Sequence, residues 1–478
     1  MKRFKKLYIL LGVLVVACAA TFALSRYQAH QEQIETSGEV VLEIPTDSVE
    51  ALSWTYDGQT LSFHKSDGSW HYDDDDAFPA DDEKIQGLLE QFQAMGAAFI
   101  IQDPEDLSQY GLDDPQCTIH ITTEDTDYTI SLGDYSSMDS QRYVSIGDGN
   151  VYLVADDPLN YFNITLRDLI AQDDIPDLSR VSQIIFSGSE NYQIDYEAYS
   201  EDSTRTYCAD DVYFARQEDG SDLPLDTDKV TGYLQTLQYL DLSSYVTYNA
   251  GEDDLADYGL DDPELTVQVA YTTEDENGEE VSGTLTVSIS RDPAQRAKDA
   301  DQAAEDSQED AQEEDEEITA YVRIGDSKII YSLYGETYTA LMKASQDDLR
   351  HTEVLSADFG DITQIDISLD GANYTLTTDG KGDDRTYDYQ GEEVDIEDFR
   401  SALESLQADS FTQEQPAQKE EISLTVHLDN EAFPTVQIDL YRYDGSHCLA
   451  VVDGEPVSLV DRSDVVDLIE AVNAIVLN

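Results

Sequence analysis

The chain has 478 residues, with 26 Lys and Arg against 103 Asp and Glu and a formal charge of −77. That balance excludes a nucleic-acid binder, which needs clustered cations to neutralise phosphate, and argues against docking by charge on anionic lipid. Apolar residues make up 40% of the chain, enough to build cores, so the acidity marks a solvated shell, and at about 100–200 residues per domain the length predicts about three domains.

Leu7–Leu24 is a run of 18 residues without a charge. At about 1.5 Å of rise each it reaches roughly 27 Å, enough to cross a bilayer core. Lys2, Arg3, Lys5 and Lys6 precede it and Arg26 follows. The positive-inside rule then predicts a basic cytoplasmic tip (1–6), a transmembrane anchor (7–24) and an extracytoplasmic bulk: a single-pass protein of the cell membrane. Two other readings stay open. Val15-Val16-Ala17-Cys18 fits a bacterial lipobox with Cys18 lipidated, and Ala17-Cys18-Ala19 fits the cleavage site of a secretory signal. The apolar run continues six residues past Cys18, which favours the uncleaved anchor. Cys117, Cys208 and Cys448 form an odd, widely spaced set, so no disulfide framework is expected.

Beyond the N-terminal segment the chain reads as three tandem units, 44–174, 175–358 and 359–478, opening at Ile44-Pro45, Ile175-Pro176 and around Phe359. Each begins with an apolar-rich run: Val49/Leu52/Trp54, Val181/Ile184/Phe186 and Ile362/Ile365/Ile367. These predict strands with one buried face, and Asp57-Gly58, Ser187-Gly188 and Asp370-Gly371 predict the turns to partner strands. An amphipathic helix follows. Lys84, Ile85, Gly87, Leu89, Phe92 and Gln93 are matched by Lys229, Val230, Gly232, Leu234, Leu237 and Gln238, and in the third unit by Phe399, Leu403, Leu406 and Gln407.

Next comes the strongest repeat signal. Glu105–Pro115 (EDLSQYGLDDP) and Asp253–Pro263 (DDLADYGLDDP) are identical at eight of eleven positions. The third unit has Gln413-Glu414-Gln415-Pro416 near that point and lacks the motif. Strand patterning resumes at Thr118–Ile121 and Thr266–Val269, and Tyr143-Val144-x-Ile146-Gly147-Asp148 is matched by Tyr321-Val322-x-Ile324-Gly325-Asp326. Between these in the second unit lies an acidic insert (291–319). Its Asp299–Glu317 holds eleven acidic residues and no basic one, so a disordered, self-repelling loop is expected. Closing helices are predicted at Pro158–Ile170, Glu336–Arg350 and Ser463–Ile475. The expected fold class is α+β: three tandem repeats of antiparallel strands with packed helices, preceded by one N-terminal transmembrane helix.

The YGLDDP turn after an amphipathic helix, the YVxIGD-like hairpin, and the junction Asp347-Asp348-Leu349-Arg350…Val354-Leu355…Phe359-Gly360-Asp361-Ile362 resemble domain-of-unknown-function family 4340. The resemblance takes in nearly all of the chain outside the anchor and the acidic insert. It implies a single-pass envelope protein acting as an accessory to ABC-type transporter subunits. The family has no established activity, so no catalytic residue is carried over.

Within the motif, Gly111 and Gly259 suit a turn at positive φ, and Asp-Asp-Pro holds it before a strand starts. The functional alternative makes Tyr110, Gly111, Asp113, Tyr258, Gly259 and Asp261 a contact site for a partner. No metalloprotease, nucleophile-elbow, P-loop or dinucleotide motif is present. His64/His71 and His427/His447 are the closest histidine pairs, each able to bind zinc with a nearby Asp, yet exposed strand histidines without a metal are far commoner. No metal, cofactor or catalytic residue is expected. The function expected is a non-enzymatic extracytoplasmic accessory or scaffold protein. The alternatives are a substrate-capturing lipoprotein modified at Cys18, and an extracellular hydrolase with a diffuse acidic site.

Overall fold

The computed structural model describes residues 39–200, 203–275, 277–305, 317–380, 382 and 385–477. The predicted tip (1–6), the anchor Leu7–Leu24 and Cys18 lie outside the described residues. Among the described residues no helix is long and apolar enough to cross a membrane. The chain divides into two compact units, the break falling after Gln172. Both are α+β, with antiparallel sheets and helices.

The first unit holds an eight-stranded sheet. Its spatial order is Ser69–Tyr72, Gln59–Ser66, Val49–Tyr56, Cys117–Thr123, Asp127–Ser136, Gln141–Ser145, Val151–Val154 and Phe99–Ile101. The second unit holds two nine-stranded sheets. One runs Asp222–Leu225, Tyr213–Arg216, Tyr192–Tyr196, Val181–Gly188, Leu265–Glu274, Glu280–Arg291, Ala320–Ile324, Ile330–Leu333, Tyr245–Thr247. The other runs Glu392–Val394, Thr386–Tyr389, Ala372–Asp379, Ile362–Leu369, Glu420–Leu428, Thr435–Arg442, His447–Val452, Glu455–Asp461, Ala408–Phe411. Numbered along the chain, the strands of these two sheets come in the same spatial order. The first sheet follows that order with one strand fewer on the hairpin side.

The opening strands explain a spacing that a regular strand does not permit. Val49, Leu52 and Trp54 are three and two residues apart, and a plain period of two would send Val49 and Leu52 to opposite faces. Pairing with Cys117–Thr123 shifts register between Val49 and Ala51. The extra residue re-phases the pleat, and the three side chains are 2%, 0% and 1% exposed. The same shift falls between Val181 and Gln183 and between Ile362 and Gln364. Burial of each such side chain stabilises by about 1.5–3 kcal/mol.

Asp57-Gly58 (φ 49° and 75°) and Asp370-Gly371 (φ 48° and 81°) form tight hairpin turns with both central residues left-handed. Ser187-Gly188 departs from that expectation. Both residues stay in the strand, paired with Thr266 and Leu265. The turn moves to the following residues, where the Asn191 amide nitrogen donates to the Gly188 carbonyl at 2.7 Å.

Helix α1 (Asp82–Glu90) starts at Asp81, whose side chain accepts from the backbone N–H groups of Glu83 and Lys84, and it buries Ile85, Leu88 and Leu89. The predicted closing helix at Pro158–Ile170 is instead two short pieces, α2 (Leu159–Phe162) and a 3₁₀ turn at Leu166–Leu169. Thr165 starts the second piece with a reciprocal cap to Asp168, which ends the first run. Phe162 from α2 meets Trp54 edge-on at 5.4 Å and Phe92 at 5.7 Å in the core.

In the second unit, α3 (Thr227–Gln238) is capped by Asp226 and buries Val230, Tyr233, Leu234 and Leu237. The expected loop at 291–319 needs correction: Pro293–Glu305 is a helix, α4. It follows Arg291, whose guanidinium binds Glu264 at 2.7 Å and pairs with Asp299. The remainder of the acidic run, 306–316, lies outside the described residues. The predicted helix at Glu336–Arg350 is also split, into α5 (Gly335–Met342) and α6 (Gln346–Leu349), because Ser345 and Asp348 cap a new start. Helices α7 (Glu397–Glu404) and α8 (Arg462–Val476) pack in the third core through Phe399, Leu403, Val465, Leu468 and Val472.

Candidate functional site

The two YGLDDP motifs fold alike. Leu107–Tyr110 and Glu252–Tyr258 are 3₁₀ turns that end at Gly111 (φ +66°) and Gly259 (φ +68°), both left-handed. Leu112 N–H reaches back to the Leu107 carbonyl at 3.1 Å and Leu260 N–H to that of Leu255 at 2.9 Å. A Cβ on Gly111 would lie 2.7 Å from the Asp134 carboxyl carbon, and one on Gly259 would lie 2.8 Å from Ser290 Oγ. Tyr110 and Tyr258 have a second role. Their rings lie 5.0 Å from Tyr143 and 5.2 Å from Tyr321, so the YGLDDP and YVxIGD motifs meet ring to ring in both places. Asp113 and Asp261 are exposed. Glycine and tyrosine therefore have local structural work, whereas the two aspartates face solvent. Around the second turn, Arg296 of α4 donates to the Asp262 carbonyl and to Ser290 Oγ, both at 3.0 Å.

A different cluster lies in the second unit, where the chain leaves α6 and runs on toward the third sheet. Arg350 leaves α6 with an extended backbone, and Glu353 forms an isolated antiparallel bridge with Gln407. Thr352 accepts from Ala408 N–H at 2.7 Å and Val354 N–H donates to the Leu406 carbonyl at 3.0 Å, which anchors the segment on the far side. On the near side, Lys229 Nζ donates to the Arg350 carbonyl at 2.8 Å and Asp226 N–H to that of Leu349 at 3.0 Å. Here His351 Nε2 lies 2.7 Å from Asp211 Oδ1 and His351 Nδ1 lies 3.7 Å from Glu353 Oε2. Asp211 is 2% exposed and also accepts from Thr206 Oγ1 at 2.6 Å. Burial works against the charged form of His351. The Asp211 hydrogen bond, with the charges of Asp211, Asp226 and Glu353, outweighs it and holds the pKa above the ordinary histidine value.

A cavity of about 260 Å³ adjoins this cluster, lined by Arg205, Tyr207, Arg350, His351, Glu353 and Phe433 among others. Arg205 binds Asp222 at 2.8 Å and Glu197 at 2.6 Å, and its guanidinium covers Phe214 at 4.2 Å. Arg350 stacks on Phe411 at 4.3 Å, and burial lowers its pKa against the pull of Asp347. A wider groove of about 1160 Å³ has Lys229, Lys343, Glu317, Glu336 and Asp348 on its walls with Tyr233 and Tyr334, and no histidine or cysteine among its lining.

Of the histidine pairs, His64 and His71 do meet. They sit opposite each other on paired strands with rings stacked at 5.6 Å, and each faces its own carboxylate, Asp73 at 2.6 Å and Asp76 at 3.4 Å. His427 and His447 lie on strands that do not pair with each other, and each has its own carboxylate, Asp366 at 2.8 Å and Asp444 at 3.2 Å. Sequence reasoning missed His351. The available signal was the spacing His351-x-Glu353, which puts both side chains on one side of a stretch wherever it runs extended.

The family model described as a domain of unknown function (DUF4340) matches residues 70–212 and 216–306. The matched region belongs to this family. The DUF4340 match takes in both YGLDDP turns, Asp211 and Asp226, and stops before His351, Glu353 and the third sheet, a narrower reach than the whole chain. No curated protein and no solved structure matches the chain.

Proposed function

We propose that the chain is a non-enzymatic extracytoplasmic accessory or scaffold protein, held in the cell membrane by Leu7–Leu24 and working with an ABC-type transporter complex. Its bulk is three tandem copies of one unit, 44–174, 175–358 and 359–478. The observation that carries this reading is the shared strand order of the three sheets, with the register shift at the same point of each opening strand. A frame repeated along one chain multiplies contact surface, and linked contacts gain avidity without any new chemistry. Asp113 and Asp261 stand exposed at equivalent turns, which suits paired docking points.

The test places photo-crosslinking residues at Asp113 and Asp261 in intact cells. Crosslinks from both positions to one polytopic transporter subunit are expected, with the Cys18→Ala protein still in the membrane fraction. Absence of any such crosslink at both positions counts against the transporter reading, and release of the Cys18→Ala protein into the medium counts against the anchor.

A second reading has a specific observation in its favour. The cavity of about 260 Å³ between the second and third sheets suits a small ligand, as a substrate-capturing lipoprotein modified at Cys18 would need.

A further inference from the structure

We propose that Asp226, His351 and Glu353 form a binding site for a divalent first-row transition cation of the zinc type. The site lies in the second unit and does not depend on the scaffold reading. One ligand atom from each residue can be chosen so that all three lie within 4.8 Å of one another, the one such group among the described residues.

The separations fit shared coordination better than mutual hydrogen bonding. His351 Nδ1 and Glu353 Oε2 are 3.7 Å apart, too far for a hydrogen bond. Two ligands each about 2.1 Å from one tetrahedral ion stand roughly 3.4 Å apart. The same Glu353 oxygen is buried and takes no hydrogen bond, so a positive ligand would satisfy it.

The surrounding groups are arranged as a metal-binding histidine requires. His351 Nε2 is engaged by the buried Asp211, itself held by Thr206, which fixes the ring and leaves Nδ1 as the donor toward Glu353. Asp226 caps α3 through Oδ1, accepting from the N–H groups of Asp228 and Lys229, and this leaves Oδ2 as a ligand. One imidazole with two carboxylates suits zinc and its neighbours better than calcium or magnesium, which favour all-oxygen sets. Three protein ligands leave a fourth position, and His351 and Glu353 also line the adjoining cavity. The bound ion would tie the segment running on toward the third sheet to the start of α3.

The experiment titrates zinc chloride into the full chain, purified in detergent and stripped with chelator, by calorimetry. A saturable site is expected, weakened about tenfold to a hundredfold by Glu353→Gln and by Asp226→Asn. Asparagine still caps a helix, so the second variant keeps α3. The double change His64→Ala/His71→Ala should leave that site untouched. Cobalt in place of zinc should give visible absorption that Glu353→Gln alters. No saturable binding by the unaltered chain overturns the proposal whatever the variants do. So does equal affinity in both variants, or loss of the site on changing His64 and His71.

Discussion

Replacing Asp157 by alanine removes one half of a buried ion pair in the first unit. Its Oδ1 lies 2.5 Å from Arg142 Nε, and the two side chains are only 6% (Arg142) and 9% (Asp157) exposed. Arg142 keeps two neutral acceptors, the Gly133 carbonyl at 2.5 Å and Gln116 Oε1 at 3.0 Å, but neither balances its charge. Asp157 also accepts from Leu159 N–H at 3.0 Å, so the start of α2 loses a partner. Stranding a buried guanidinium in this way costs about 3–5 kcal/mol. The assay is selective for this unit, because the chain's two tryptophans, Trp54 and Trp70, both lie in it, 1% and 4% exposed. With a urea slope of about 2 kcal/mol per molar, the fluorescence midpoint should fall by about 2 M. The double variant Arg142→Met/Asp157→Leu should recover most of the loss, since an apolar pair leaves no charge behind. A shift below about 0.5 M for Asp157→Ala, the size expected of a surface pair, would refute the reasoning.

Two glycines of the same unit should respond with opposite signs in that assay. Gly111→Ala puts a Cβ at φ +66° and 2.9 Å from the Asp134 backbone nitrogen, so a loss of about 1–3 kcal/mol is expected. Gly87→Ala in α1 has nothing within 4 Å, and a gain of about 0.5–1 kcal/mol should follow. In the second unit, burial raises the Glu264 pKa, but the hydrogen bonds and charge of Arg291, with the Tyr338 hydroxyl, bring it below the ordinary value. A folded pKa below the unfolded one gives stability that is complete above about pH 4.3 and lost as pH falls through the folded value. The stability gap between the unaltered chain and Glu264→Gln, read by circular dichroism, should therefore be largest near neutrality and shrink in acid. An equal gap at both ends of the range would contradict the assignment.

What could be read from the residues was mostly local or periodic. The three-then-two spacing of Val49, Leu52 and Trp54 already carried the register shift, and Asp57-Gly58 and Asp370-Gly371 carried their turns. Gly111 and Gly259 were readable as left-handed because only glycine tolerates that backbone beside Asp134 and Ser290. The closing helices were over-extended because apolar periodicity runs on through Thr165 and Ser345, while the caps that restart the chain there depend on side-chain geometry. Pro293–Glu305 was read as disordered from its composition, yet Arg291 and Arg296 give its start partners that composition does not reveal. The Tyr110–Tyr143 and Tyr258–Tyr321 contacts join motifs that were visible separately. Asp226 and His351 are far apart in the chain, and only the packing of Arg350–Ser356 against α3 brings them together.

Three open sheets of one strand order on a single chain carry a hazard of strand exchange, since each offers its neighbours a template they could complete. The lengths of the outermost strands bear on it. Every sheet ends in stubs of three or four residues: Ser69–Tyr72 and Phe99–Ile101, Asp222–Leu225 and Tyr245–Thr247, Glu392–Val394 and Ala408–Phe411. The longest strand, Glu280–Arg291, sits inside, paired with Leu265–Glu274 on one flank and through Val287–Arg291 with Ala320–Ile324 on the other. At these outermost strands a passing copy thus meets a short ladder, interrupted in one case by Pro224, which has no N–H to give. Newly made units can in this way close on themselves while their siblings are still emerging.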